Sequence, residues 1–194
     1  MSHYFDHSPQ KRSAPRVVPL VLPDVTLALT SDRGVFSADR VDPGTKLLLA
    51  EAPRPPETGA LLDLGCGYGP IAVTLALRSP AATIWAVDVN ERARALTAAN
   101  AETAHAPNVT VVSPPDVPPD LAFGALYSNP PVRIGGSALH AMLDEWIPRA
   151  AVSYLVVNKN LGSDSLARWM RERGWEVERL VSRLGYRVLQ VRPA

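Results

Sequence analysis

Leu61-Leu62-Asp63-Leu64-Gly65-Cys66-Gly67-Tyr68-Gly69 is the stretch on which the fold turns. A short apolar run reads as a buried strand, and the three glycines end it in a tight turn. The turn leads into a helical pattern over Ile71–Leu77, so free backbone N–H groups face whatever lies beyond the strand. The glycines follow GxGxG, not the GxGxxG spacing that seats a dinucleotide pyrophosphate. Asp63 just ahead of the loop repels phosphate and welcomes an ammonium group, so a ligand with an amino-acid end suits it.

Working outward, the chain alternates strand with helix. Ile84–Val87, Val109–Val112, Ala122–Tyr127 and Tyr154–Val157 read as further buried strands. Helical stretches over Glu91–Glu102, Ser137–Ile147 and Ser163–Arg173 separate them, and Asn90 is placed to cap the first. Such alternation predicts right-handed crossovers and a mainly parallel sheet covered on both faces, a three-layer α/β/α sandwich. Glu176–Val181 and Tyr186–Val191 are joined through Gly185 without room for a helix, so they pair antiparallel at one sheet edge. Ahead of the glycine loop, Arg16–Leu22 and Val25–Thr30 form a hairpin candidate, and Thr45–Ala52 a short helix opened by Asp42-Pro43-Gly44. Pro53, Pro55 and Pro56 then mark a joint, dividing a 1–52 extension from a 53–194 unit.

Two carboxylates extend the ligand reading. Asp88 ends the second sheet strand, where doubly wound folds hold both hydroxyls of a ribose. Asp116 follows the third strand and is placed for the exocyclic amine of a base, with Val117 against its ring; a plain turn is the alternative.

Tyr127-Ser128-Asn129-Pro130-Pro131-Val132 follows the fourth strand, at the carboxyl edge of the sheet. Pro130 and Pro131 fix φ and remove two N–H donors. The Asn129 side-chain oxygen and a nearby carbonyl then face one point as acceptors, an arrangement suited to a planar NH2 group.

From Asp63 through Asp116 the sequence resembles class I, Rossmann-like S-adenosylmethionine-dependent methyltransferases. The Asn-Pro-Pro motif resembles the signature of amino-methyltransferases acting on adenine N6, guanine N2 or glutamine. Gly34-Val35-Phe36-Ser37, Val41-Asp42-Pro43-Gly44-Thr45, Val132-Arg133-Ile134-Gly135 and Gly185-Tyr186-Arg187 look like the branch that methylates guanine N2 in small-subunit ribosomal RNA. His3-Tyr4-Phe5 resembles that branch's opening.

The resemblance implies a seven-stranded sheet ending in an antiparallel strand, and S-adenosyl-L-methionine as cofactor. It implies that Gly65, Cys66, Gly67, Tyr68, Gly69 and Asp63 hold the methionine part, Asp88 with Val89 the ribose, and Asp116 with Val117 the adenine. Thr45 would sit near the methionine carboxylate, or simply start its helix. Asn129, Pro130 and Pro131 would carry the chemistry, with Asn129 touching the cofactor as well. In many relatives an aromatic residue follows the prolines; Val132 stands there, so stacking on a target base must come from Phe36, Tyr4 or Phe5. Phe36, Val132, Arg133 and Lys159 are the substrate-side candidates, with solvation as the rival reading of Lys159. Bacterial enzymes of this branch carry a further, degenerate domain ahead of the catalytic one, and only a short extension precedes it here.

Composition narrows the classes. The 194 residues are 46% hydrophobic and 20% charged, with mean hydropathy near zero, as for one globular domain. The single cysteine, Cys66, excludes an internal disulfide framework, and no metal is expected. No run approaches the roughly 20 apolar residues of a membrane span, and the opening residues lack a signal peptide's apolar core. A cytoplasmic protein with RNA as partner is the expectation, its oligomeric state open. Net charge is +1, with both ends net basic and the middle acidic. The rival readings are transfer to adenine, protein glutamine or a small amine, or a methyltransferase fold that binds RNA or a partner without turnover.

Overall fold

A computed structural model describes residues 12–131 and 134–194. The chain runs β1 (Arg16–Val21), β2 (Thr26–Ser31), α1 (Pro43–Glu51), β3 (Thr58–Leu64), α2 (Pro70–Arg78), β4 (Ala81–Val87) and α3 (Glu91–Thr103). It continues through β5 (Val109–Val112), β6 (Ala125–Ser128), α4 (Gly136–Trp146), β7 (Ser153–Asn158), α5 (Ser163–Glu172), β8 (Glu176–Arg183) and β9 (Tyr186–Arg192).

Seven strands form one sheet in the order β5-β4-β3-β6-β7-β9-β8. β3 pairs parallel with β4 on one side and β6 on the other. The chain therefore builds outward from β3 in one direction, returns, and builds in the other. That reversal opens a crevice beyond the carboxyl ends of the central strands, the place where open α/β sheets bind ligands. β9 runs antiparallel to both β7 and β8, which places the closing hairpin at the sheet edge. This is a Rossmann-like sheet with a short N-terminal β-hairpin beside it.

Alternation of side chains across the sheet builds two cores. Leu61, Ile84, Ala125 and Tyr127 face the layer of α1, α2, α3 and the hairpin. Leu62, Val87, Leu126 and Leu155 face α4 and α5, where Leu143, Leu166 and Met170 meet them. Both faces are apolar, so the strands read as near-continuous hydrophobic runs.

The fourth strand begins later than its sequence suggests. Regular pairing starts at Ala125, and Phe123 makes only an isolated bridge to Ala150. Gly124 separates the two, its N–H bonded to the Ala60 carbonyl.

Polar ties fasten the hairpin to the sheet's helices. The Thr30 N–H donates to Asn100 Oδ1 and the Asn100 Nδ2 donates back to the Thr30 carbonyl, each at 2.8 Å. Arg78 forks onto Asp24 through Nε and Nη2, both at 2.8 Å. No helix among the described residues is long and apolar enough to cross a membrane.

Candidate active site

β3 delivers the glycine loop to the crevice. The Gly65 and Cys66 N–H groups both donate to the Val87 carbonyl, at 2.8 and 3.1 Å, so the loop folds over the end of β4. Gly67 has φ +59° and a Cβ there would meet nothing within 4 Å, leaving bare backbone toward the cavity. Its N–H donates to Asp88 Oδ2 at 2.9 Å, and Asp88 Oδ1 accepts the Asn90 N–H at 2.9 Å. Burial raises the Asp88 carboxyl above its ordinary range, opposed by these two backbone bonds. Asn90 caps α3 as expected, accepting from the Arg92 and Ala93 N–H groups.

Asp63 stands behind the loop, not in the cavity wall. Its carboxyl is fully buried, with Oδ2 accepting the Ala72 N–H at 2.8 Å and Oδ1 without a partner. Gly69 caps α2 without a side-chain bond and Pro70 follows it, so this buried oxygen satisfies a free donor of the first turn. Burial pushes the Asp63 carboxyl up to about 8, with the Ala72 bond opposing and the Asp88 charge adding. Cys66 is likewise buried, its thiol raised by burial, a state ill-suited to a nucleophile.

The cavity above the loop measures about 480 Å³, within the usual range for small-molecule sites. Its floor is Gly65–Tyr68 with Asp88–Asn90, and Val35, Phe36 and Ser37 form the facing lip. Ile134, Met142 and Trp146 supply an apolar wall from α4 and the turn before it. Thr45, Asp42, Asn129 and Pro131 close one corner.

In that corner the Asn129 Nδ2 donates twice, to Asp42 Oδ2 and to Thr45 Oγ1, each at 3.0 Å. A carboxylate can only accept, so the nitrogen of the carboxamide must be the atom facing it, which leaves Oδ1 for the cavity. Asp42 Oδ2 also caps α1, taking the Gly44 N–H at 2.8 Å and the Thr45 N–H at 3.1 Å. Asp42 Oδ1 accepts the Tyr186 hydroxyl at 3.1 Å.

The remaining expected site residues are distributed unevenly. Thr45, Val89, Phe36 and Pro131 line the cavity, and Pro130 is buried beside it. Asp116 does not line it; its exposed carboxylate accepts the Ser113 hydroxyl, and Pro114 faces the cavity instead. Val117 is buried in the core facing α4. Lys159 is exposed, its N–H bonded to the Gly185 carbonyl. Val132, Arg133, Tyr4 and Phe5 lie outside the described residues. His140 stacks on Trp169 at 3.9 Å, away from the cavity wall.

Sequence reasoning took Asp42 only as part of a helix start and gave Tyr186 no chemical part. The apolar wall from α4 also went unread, since Met142 and Trp146 look like ordinary core residues at helical spacing.

A glycine loop over the central strand, a carboxylate closing the next and an Asn-Pro-Pro corner define a class I methyltransferase fold. Comparison with known proteins agrees. The family model described as methyltransferase small domain matches residues 26–190. The uncharacterized protein YbxB of Bacillus subtilis is 32% identical over 196 residues, 98% of this chain and 98% of its own length. Ribosomal RNA small subunit methyltransferase C of Aeromonas hydrophila is 36% identical over 129 residues, covering 66% of this chain and 36% of that one. The solved T. thermophilus 16S rRNA N2 G1207 methyltransferase, in complex with AdoMet and guanosine, superposes with TM-score 0.75 at 22% identity. That match covers 96% of this chain and 52% of the other. The chain thus spans about a third of the Aeromonas enzyme and about half of the T. thermophilus one, but nearly all of the Bacillus protein. The chain belongs to the methyltransferase small domain family, S-adenosylmethionine-dependent methyltransferases.

Proposed function

We propose that this protein methylates an exocyclic amine, with guanine N2 of small-subunit ribosomal RNA as the acceptor. One observation carries the amine reading: the Asn129 Nδ2 faces two acceptors, Asp42 Oδ2 and Thr45 Oγ1, so the carboxamide oxygen is the group left for the cavity. An acceptor oxygen beside the donor site suits an NH2 group and does nothing for a carbon or carboxylate nucleophile. The names of the Aeromonas and T. thermophilus relatives support the ribosomal acceptor. The cell compartment follows from that substrate, the cytoplasm where subunits are made.

The cavity fits the cofactor in size and in its polar groups. The bare backbone of Gly65 and Gly67, with Cys66 and Tyr68 alongside, holds the methionine part, while Gly69 lies outside the cavity lining, close against Thr97, and serves by turning the chain into α2. Asp63 contributes by fixing the start of α2. Asp88 accepts from the ribose hydroxyls with Val89 alongside, and Thr45 meets the methionine carboxylate. Asp116 and Val117 reach the adenine only indirectly, through the turn that presents Pro114. When bound, S-adenosylmethionine supplies a methyl carbon already activated by a positive sulfur. The chain's work is alignment and exclusion of water. Asn129 Oδ1 takes one hydrogen of the incoming amine and the Pro130 carbonyl the other, which aims the nitrogen lone pair at the methyl. The bound cofactor would supply the methyl with cleavage of its S–C bond, and the methylated nitrogen, made acidic, would give its proton to solvent once the site reopens. Pro131 keeps the turn rigid. Phe36 stacks on the target base, while Val132, Arg133 and Lys159 meet the flanking RNA, which presents the base unpaired or flipped. Residues 1–52 serve as an extension to a catalytic unit of residues 53–194, and its described hairpin and helix share a core with that unit.

The test is incubation of the protein with labelled S-adenosylmethionine and small-subunit ribosomal RNA, naked and assembled, followed by nucleoside analysis. Label in N2-methylguanosine is expected. Label confined to another nucleoside, or absent from RNA in every assembly state, overturns the guanine acceptor.

A further inference from the structure

We infer that Asp42 is a positioning residue for methyl transfer, its negative charge orienting the Asn129 carboxamide. The inference rests on the amine reading above and concerns how the corner is held. A helix cap needs one acceptor oxygen, which a neutral Ser, Thr or Asn supplies as well as Asp. Asp42 does more than cap. Beyond the Gly44 and Thr45 N–H groups, its carboxylate takes the Asn129 Nδ2 at 3.0 Å and the Tyr186 hydroxyl at 3.1 Å. These four donors come from three separate parts of the fold, the start of α1, the turn after β6 and the start of β9.

The charge decides which way the carboxamide faces. Turned over, Asn129 would set its oxygen against Asp42 Oδ2, two acceptors with no hydrogen between them. The N–H···O⁻ bond also draws electron density within the amide toward Oδ1, strengthening the acceptor that grips the substrate amine. Tyr186 keeps the carboxylate in place. Burial first, then the Asp42 charge, raises the Tyr186 hydroxyl above its ordinary range, so it remains a donor. Its ring packs where a Gly44 side chain would be, within 2.6 Å of an added Cβ.

Asp42→Asn and Asp42→Ser keep a capping oxygen and remove the charge. Two readouts separate positioning from capping. The first is turnover with labelled S-adenosylmethionine and small-subunit RNA, beside calorimetry with S-adenosylhomocysteine. The expected result is a kcat about tenfold or more below wild type, with the KM for RNA and the Kd for S-adenosylhomocysteine within about twofold, since a charged hydrogen bond carries about that much. The second is nitrogen-15 NMR of the Asn129 side-chain NH2, identified by its absence from Asn129→Ala. In wild type both hydrogens are downfield and exchange slowly; in both Asp42 variants at least one collapses toward solvent values. Unchanged NH2 signals and unchanged kcat in folded variants overturn the inference and leave Asp42 a helix cap. If wild type labels no RNA, the acceptor reading falls alone, and the NH2 signals decide the role of Asp42.

Discussion

The Gly67 N–H points at Asp88 Oδ2 from 2.9 Å, joining the loop after β3 to the end of β4. The backbone that would cradle the methionine part and the carboxylate that would hold the ribose are therefore one unit. Asp88→Ala removes the ribose acceptor and frees the loop together. Charged hydrogen bonds contribute about 1.5–3 kcal/mol, so S-adenosylhomocysteine should bind roughly 10- to 100-fold more weakly by calorimetry. Affinity within twofold of wild type would detach Asp88 from the cofactor.

At Asn129 the split runs the other way. Asn129→Ala should leave S-adenosylhomocysteine affinity nearly intact and cut turnover by about 100-fold, the scale of losing one transition-state hydrogen bond. Asn129→Asp places a second carboxylate where Asp42 Oδ2 now sits 3.0 Å from Nδ2. Repulsion should turn it away, and its activity should fall at least as far as that of the alanine variant. Full turnover in either variant removes the residue from the chemistry.

Asp63 makes stability depend on pH. The folded carboxyl titrates near 8 and the unfolded one near 3.8. Between those values the folded chain keeps a proton that the unfolded chain gives up, so its favourable contribution is full below about pH 4 and lost as pH rises toward about 8. The slope is at most about 1.4 kcal/mol per unit. Asp63→Asn carries no such proton. Its thermal midpoint should equal wild type near pH 4 and exceed it increasingly up to pH 8. A variant no more stable than wild type at pH 8 would mean that the buried carboxylate is already compensated.

Gly44→Ala tests the packing behind the corner. The new Cβ would lie 2.5 Å from the Tyr186 ring and 2.8 Å from Asp42 Oδ2, so the ring must move. A loss of about 1–3 kcal/mol in chemical denaturation is expected, the scale of overpacking a filled site. Stability equal to wild type would show that Tyr186 is free to withdraw.

Most of the fold was legible because its signals are local. Apolar runs and the cap at Asn90 announce themselves within a few residues, and the parallel sheet with its antiparallel edge pair followed from crossover rules, whereas the order of the strands did not. Gly124 was misjudged, since an apolar neighbourhood conceals where a ladder's pairing begins. The glycine loop, Asp88 and Asn129 were read as facing the crevice from their position at strand ends, and they line the cavity there. The direction of Asp63 was not legible: a strand residue faces one side or the other, and only the turn of the loop buries this one beneath α2, outside the cavity lining. The bond from Asn129 to Asp42 spans 87 positions, and that from Tyr186 to Asp42 spans 144. No periodicity or motif encodes such separations, because they arise from which strand the sheet inserts next to which.

That separation has a consequence for the making of the enzyme. β9, inserted between β7 and β8, is the strand that brings Tyr186 to Asp42. Contacts so distant in sequence are among the slowest to form. On the proposed reading of the corner, the grip on an acceptor would therefore be complete only once the last hairpin docks and Tyr186 reaches Asp42.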